Sequence, residues 1–156
     1  MQLTQKECSL LKDMKGQEEL CIQKYSHASS SASDGQLKGL FSYLADIERG
    51  HLHTLQQFES GTVPAMNASG GQNGQSGSAN SFSETYPVEE TDRKRHDCFL
   101  CTDLLTSEKH ASHLYDTCVV EFKDAGVRDA INHIQKEEQH HGKMIYDYMS
   151  VNHMYS

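Results

Sequence analysis

Residues 8–51 and 98–141 of this 156-residue chain repeat one another at an offset of 90, without a gap. Glu18 falls on Glu108, Tyr25 on Tyr115, Asp34 on Asp124, Glu48 on Glu138 and His51 on His141. Cys8, Leu10 and Asp13 likewise meet Cys98, Leu100 and Asp103. Helical patterning alone would match leucines, yet most of these positions are polar, so a duplicated structural unit is the economical reading. Each copy must then fold in the same way and bring its polar residues to equivalent places.

Periodicity says what each copy is. The stripe Leu37, Leu40, Phe41, Leu44, Glu48, His51, Leu55, Phe58 recurs at helical spacing. Its counterpart is Val127, Ala130, Ile131, Ile134, Glu138, His141, Ile145, Tyr148. Upstream run Cys8, Leu11, Met14, Glu18, Cys21, Tyr25, Ala28 and Cys101, Leu104, Glu108, Ala111, Tyr115, Cys118, Phe122. Thr4-x-x-Glu7 is a capping box that starts the first helix near residue 5. Weak helix formers at 28–33 and Asp34-Gly35 make one turn, and Asp124-Ala-Gly126 makes the other. The expectation is an all-α bundle of two repeated hairpins, about 4–59 and about 92–150, in a single domain spanning 1–156. Between them, residues 60–91 turn to Gly, Ser, Asn and Gln and hold both prolines, which predicts a flexible linker. An Asn67-Ala-Ser69 sequon in that linker carries no weight without a signal peptide. The tail from Val151 is expected to fray.

Glu48 and His51 stand in the middle of an apolar face, where an isolated carboxylate costs several kcal/mol unless it is paired, protonated or metal-bound. One Glu-x-x-His is weak, since about one arises by chance in a chain of this composition. Three occur, because Glu137-x-x-His140 overlaps Glu138-x-x-His141. The repeat selects Glu138 and His141, with Glu137 and His140 remaining as an alternative set. Glu18 lies 16 residues before Asp34 and Glu48 lies 14 after it. At ~1.5 Å per residue both sit ~20–24 Å from the turn and face each other across the hairpin. Residues i and i+3 share a helix face, so each His joins its Glu inside. Four carboxylates at one depth need compensation, and two divalent cations would supply it. Buried protonated carboxylates paired with the histidines are the plainer alternative.

Composition excludes several other roles. A net charge of -8 argues against nucleic acid or anionic membrane as a partner. No apolar run approaches the ~20 residues of a membrane span. The amino terminus has no hydrophobic signal core, so synthesis in the cytoplasm is expected. Five cysteines form an odd set with one lone C-x-x-C, Cys98 to Cys101, and are expected to be reduced thiols, mostly packed in the core. Arg93-Lys-Arg-His96 reads as an exposed helix start, and the histidines other than His51 and His141, mostly off the apolar stripes, as solvated.

At this point the chain resembles the ferritin-like superfamily, where a Tyr follows the metal-binding Glu of the first and third helices by two turns. The resemblance implies a four-helix bundle with a long crossover linker. It also implies metal ligands Glu18, Glu48, His51, Glu108, Glu138 and His141, with Glu18 and Glu108 bridging, or one bridging and one terminal. Tyr25 and Tyr115 would hydrogen-bond to those ligands. Iron, manganese and zinc all suit such donors. Asp103-Leu-Leu-Thr-Ser-Glu108-Lys109, followed by Glu138-x-x-His141 and a Met/Tyr-rich ending, is similar to the spore coat protein F-like proteins of endospore-forming bacteria. That resemblance implies assembly into the spore coat, with further copies or other coat proteins as partners. An oxidase or peroxidase that reduces O2 or peroxide at a di-iron site is the alternative function. No catalytic residue is assigned. Missing rubredoxin-type cysteines, and Ala111 in place of a further Glu, count against rubrerythrin-style chemistry. Low apolar content and the loose linker argue against a ferritin cage.

Overall fold

The computed structural model describes residues 1–65 and 81–155. Four helices follow in order: α1 (Gln5–Ser31), α2 (Gly35–Glu59), α3 (Asp92–Val119) and α4 (Ala125–Val151). Each begins at a side chain that takes up an orphan backbone N–H: Thr4, Asp34, Thr91 and Asp124. Thr4 and Glu7 close the expected capping box from both directions. α2 ends at Gly61, whose φ of 82° lets Thr62 N–H reach back to Gln57 carbonyl at 2.8 Å.

Short turns at residues 32–34 and 120–124 make α1–α2 and α3–α4 antiparallel hairpins. The hairpins pack α1 on α3 and α2 on α4. Both contacts are antiparallel, because Tyr25 meets Glu108 while Tyr115 meets Glu18, and His51 meets Glu138 while His141 meets Glu48. The crossover 60–91 must therefore run from one end of the bundle to the other. Its central part, with the Asn67 sequon, lies outside the described residues. The rest is anchored rather than loose. Phe82 packs on Tyr148 with rings 5.4 Å apart, and Tyr86 is buried. Asn152 Oδ1 accepts from both Thr85 and Tyr86 N–H, at 2.8 and 3.0 Å.

That contact also corrects the expectation of a frayed tail. Asn152 is fully buried, and the chain turns at His153, whose φ of 58° places it in the left-handed region. Met154 N–H then closes onto Met149 carbonyl at 2.9 Å. Two further expectations change. Cys8 is exposed and Glu7 is buried in its place, since Glu7 turns inward to accept from Lys123 N–H at 2.9 Å. Lys94 is not part of an exposed basic run. It is buried, with its ammonium donating to Pro87 and Val88 carbonyls at 3.1 Å and paired with Glu90 at 3.0 Å.

The repeat explains a pair of contacts that tie the hairpins together. Glu7 caps the α3–α4 turn through Lys123 N–H. Ninety positions later, Asp97 caps the α1–α2 turn through Ser33 and Asp34 N–H, at 2.8 and 2.9 Å. Each hairpin thus closes the other's turn. Between the turns the core falls into two apolar clusters. One gathers Tyr25, Phe41, Leu44, Leu104, Ile145 and Tyr148; the other Met14, Leu55, Phe58, Tyr115, Ile131 and Ile134. A polar layer separates them.

Candidate metal centre

That layer is built from Glu18 of α1, Glu48 and His51 of α2, Glu108 of α3, and Glu138 and His141 of α4. Each is between 0 and 4 % exposed, so all six side chains have lost their water. All six residues expected from the sequence converge. Their oxygens and nitrogens form two overlapping groups, Glu18/Glu48/His51/Glu138 and Glu48/Glu108/Glu138/His141, each with atoms within 4.8 Å of one another.

The sharing differs from the arrangement the resemblance implied. Glu48 and Glu138 belong to both groups, while Glu18 and Glu108 each belong to one. His51 Nδ1 lies 3.0 Å from Glu48 Oε2 and 3.1 Å from Glu138 Oε1. His141 Nδ1 lies 3.1 Å from Glu48 Oε1 and 3.6 Å from Glu138 Oε2. The shared carboxylates come from α2 and α4 because those helices cross with their Glu-x-x-His turns directly opposed. Glu18 and Glu108 flank the pair, and each is held by a tyrosine of the other hairpin. Tyr25 Oη donates to Glu108 Oε1 and Tyr115 Oη to Glu18 Oε1. Burial and the adjacent carboxylates push both phenols well above the ordinary tyrosine range, so they remain donors.

Without a cation the charges settle among themselves. Burial, then the bond to Glu48, pushes Glu18 up to about 8. Burial, then Glu108, raises Glu138. Burial acts to raise Glu48 as well, but bonds from Glu18, His141 and His51 outweigh it and hold that carboxyl low. Burial disfavours both imidazolium ions, yet the surrounding carboxylates win and raise His51 and His141. Even so, Glu18 Oε2, Glu108 Oε2, Glu138 Oε2 and the His51 and His141 Nε2 atoms have no hydrogen-bond partner among the described residues. Buried polar atoms left unpaired are costly and call for an explanation. Six carboxylate and imidazole donors in two overlapping sets could hold divalent cations, and the unpartnered oxygens fit that need.

The alternative set Glu137/His140 separates. His140 is exposed. Glu137 is half-buried outside the cluster, 3.6 Å from His51 Nε2 and 2.6 Å from His133. Ile47 is its repeat counterpart, so only His51 has an outer carboxylate. Sequence reading took His133 as solvated and missed this link; the Glu four residues after it was the available sign. Cys98 and Cys101 carry free thiols away from the cluster. Between α3 and α4 lies an open cleft of about 480 Å3 that has the buried Glu108 and Glu138 among its lining residues.

Fold and site together define a class: a four-helix bundle of two hairpins with a buried carboxylate–histidine layer. The model of the Coat F domain family matches residues 96–156, which take in most of the second hairpin. The match bears out the resemblance to spore coat protein F-like proteins over the helices that carry it, and points to a spore coat component. No curated protein and no solved structure matches the chain. No helix among the described residues is long and apolar enough to cross a membrane.

Proposed function

We propose that this chain is a ferritin-like di-metal carboxylate protein that serves in the spore coat, with two divalent cations tying its four helices together. The observation that carries the metal is the set of buried, unpartnered oxygens within two overlapping donor groups. Glu48 and Glu138 would bridge the cations, Glu18 with His51 would complete one site, and Glu108 with His141 the other. Cations there would offset the four carboxylate charges and join residues from all four helices. Because only the folded chain presents that donor set, binding stabilises it by mass action. The Coat F domain carries the coat assignment, with assembly among coat proteins or further copies of this chain.

Metal analysis of the purified protein, followed by titration of the stripped protein with Fe(II), Mn(II) and Zn(II), tests this reading. The expected result is two cations per chain. Combining Glu48→Ala with Glu138→Ala should abolish both, and retention of two in that variant would overturn the ligand set. A wild-type protein that binds none would overturn the metal itself.

The second reading is an oxidoreductase, favoured by the cleft that has Glu108 and Glu138 among its lining residues. Iron held there would supply redox chemistry toward O2 or peroxide. Anaerobic Fe(II) loading followed by O2 decides it. Repeated turnover with ferric absorption supports the enzyme; unchanged spectra with metal-dependent melting leave the structural role.

A further inference from the structure

The two halves of the repeat differ where they cover the polar layer. In the second hairpin the α3–α4 seam carries Ser112 and Gly142 at the cleft wall, with Gln135 beside them. In the first hairpin the corresponding positions are Ile22, Leu52 and Ala45. Thus one seam carries two large apolar side chains where the other has a hydroxyl and no side chain at all. A Cβ added at Gly142 would meet Leu105 Cδ1 at 3.6 Å, an ordinary contact, so the space left by this glycine could be filled without a clash. Glu108 and Glu138 are among the residues lining the cleft, and their buried Oε2 atoms have no partner among the described residues. Nothing in the packing of α3 demands a serine at 112, since its counterpart is an isoleucine on the same helical face.

We propose that the α3–α4 cleft is the port through which divalent cations reach the carboxylate layer, and that Gly142 and Ser112 keep it open. This rests on the di-metal reading and adds a direction to it. A hydrated cation entering from this side meets polar groups of Ser112 and Gln135 that can replace departing water. It then reaches Glu108 and Glu138 first. The His141 group therefore fills before the His51 group, which lies on the far side of the shared carboxylates.

Stopped-flow loading with Co(II), read by its visible ligand-field absorption, tests the port separately from the site. Gly142→Leu places in α4 the side chain that α2 already carries. It should slow Co(II) uptake and chelator-driven release together, by tenfold or more, while leaving two Co(II) per chain and an affinity within twofold of wild type. Ser112→Ile, the other exchange with the first hairpin, should act in the same direction. It decides the matter if the Gly142→Leu chain fails to fold by circular dichroism. Gly142→Ala should load at nearly the wild-type rate. Wild-type rates in both Gly142→Leu and Ser112→Ile, with two Co(II) bound, would overturn the port and leave the metal site standing. Loss of equilibrium binding in a folded Gly142→Leu chain would also overturn it, since the residue would then support the ligands and not the path. A wild-type chain that takes up no Co(II) would remove both readings.

Discussion

Tyr25 and Tyr115 illustrate how single atoms hold the polar layer in register. Each phenol crosses from its own hairpin to the flanking carboxylate of the other, and both rings are fully buried. Replacing either with phenylalanine keeps the ring but strands a carboxylate oxygen where water cannot reach. An unsatisfied buried acceptor costs ~1–3 kcal/mol. Tyr25→Phe and Tyr115→Phe should therefore each lower the unfolding free energy by that order in urea melts of the metal-free protein. The two losses should be similar, because the repeat gives both tyrosines the same job. A loss confined to one would show that the halves are not equivalent at this layer. The tyrosines were legible in the sequence through their fixed distance from Glu18 and Glu108. Which carboxylate each would hold was not, since the partners are 83 and 97 positions away.

Among elements, the turns depend on carboxylates supplied from the opposite hairpin. Asp97 takes up Ser33 and Asp34 N–H and also Tyr86 Oη at 2.6 Å. Asp97→Ala would orphan three donors at once in a buried place. The expected loss is roughly 3 kcal/mol in chemical denaturation, large for one side chain. Glu7, its counterpart, has a titration consequence. Lys123 N–H, then Thr4 N–H, holds its carboxyl below the ordinary value of 4.5, against the opposing effect of burial. A carboxyl with a depressed folded pKa adds stability in full above its unfolded pKa, and that stability is lost as pH falls through the folded value. Wild type should thus exceed Glu7→Gln in stability at pH 7, with the gap closing as pH drops below 4.5. Urea melts across pH 3–7 check the sign; a gap that widens in acid would refute it. The crossover offers a third case. Asn152→Ala removes the acceptor for Thr85 and Tyr86 N–H. Limited proteolysis should then cut faster within residues 81–91, while the four helices keep their circular dichroism.

At the scale of the whole molecule, two apolar clusters flank one polar layer. Such a layer is expensive when its charges are unneutralised, and a cation pair would change its sign of contribution. Saturating metal at 1,000 times Kd adds ~4 kcal/mol to a native state that alone binds it. Thermal melting should therefore rise on addition of the bound cation and fall back on chelation. The Glu48→Ala, Glu138→Ala chain should show no such response, and its metal-free form should melt below the wild-type metal-free form, since His51 and His141 lose the buried carboxylates that pair with them. A variant whose melting still rises with added metal would overturn the ligand set.

The sequence by itself determined the four helices, the Thr4 capping box, the antiparallel pairing within each hairpin and the six polar residues of the buried layer. Those follow from short-range rules: side chains three and four apart share a face, and Thr or Asp closes a helix start. The 90-residue repeat extended the rules across the chain without any knowledge of packing. Tertiary structure alone decided that Glu48 and Glu138, not Glu18 and Glu108, are the shared carboxylates. It also decided that Glu7 and Asp97 each cap the turn of the opposite hairpin, that Asn152 pins the crossover, and that Gly142 and Ser112 line a cleft. Each of these depends on how two hairpins are rotated and offset against one another. That geometry is set by how side chains of both hairpins pack within each apolar cluster, Phe41 and Tyr148 in one and Phe58 and Ile131 in the other, and no periodicity along one helix encodes it.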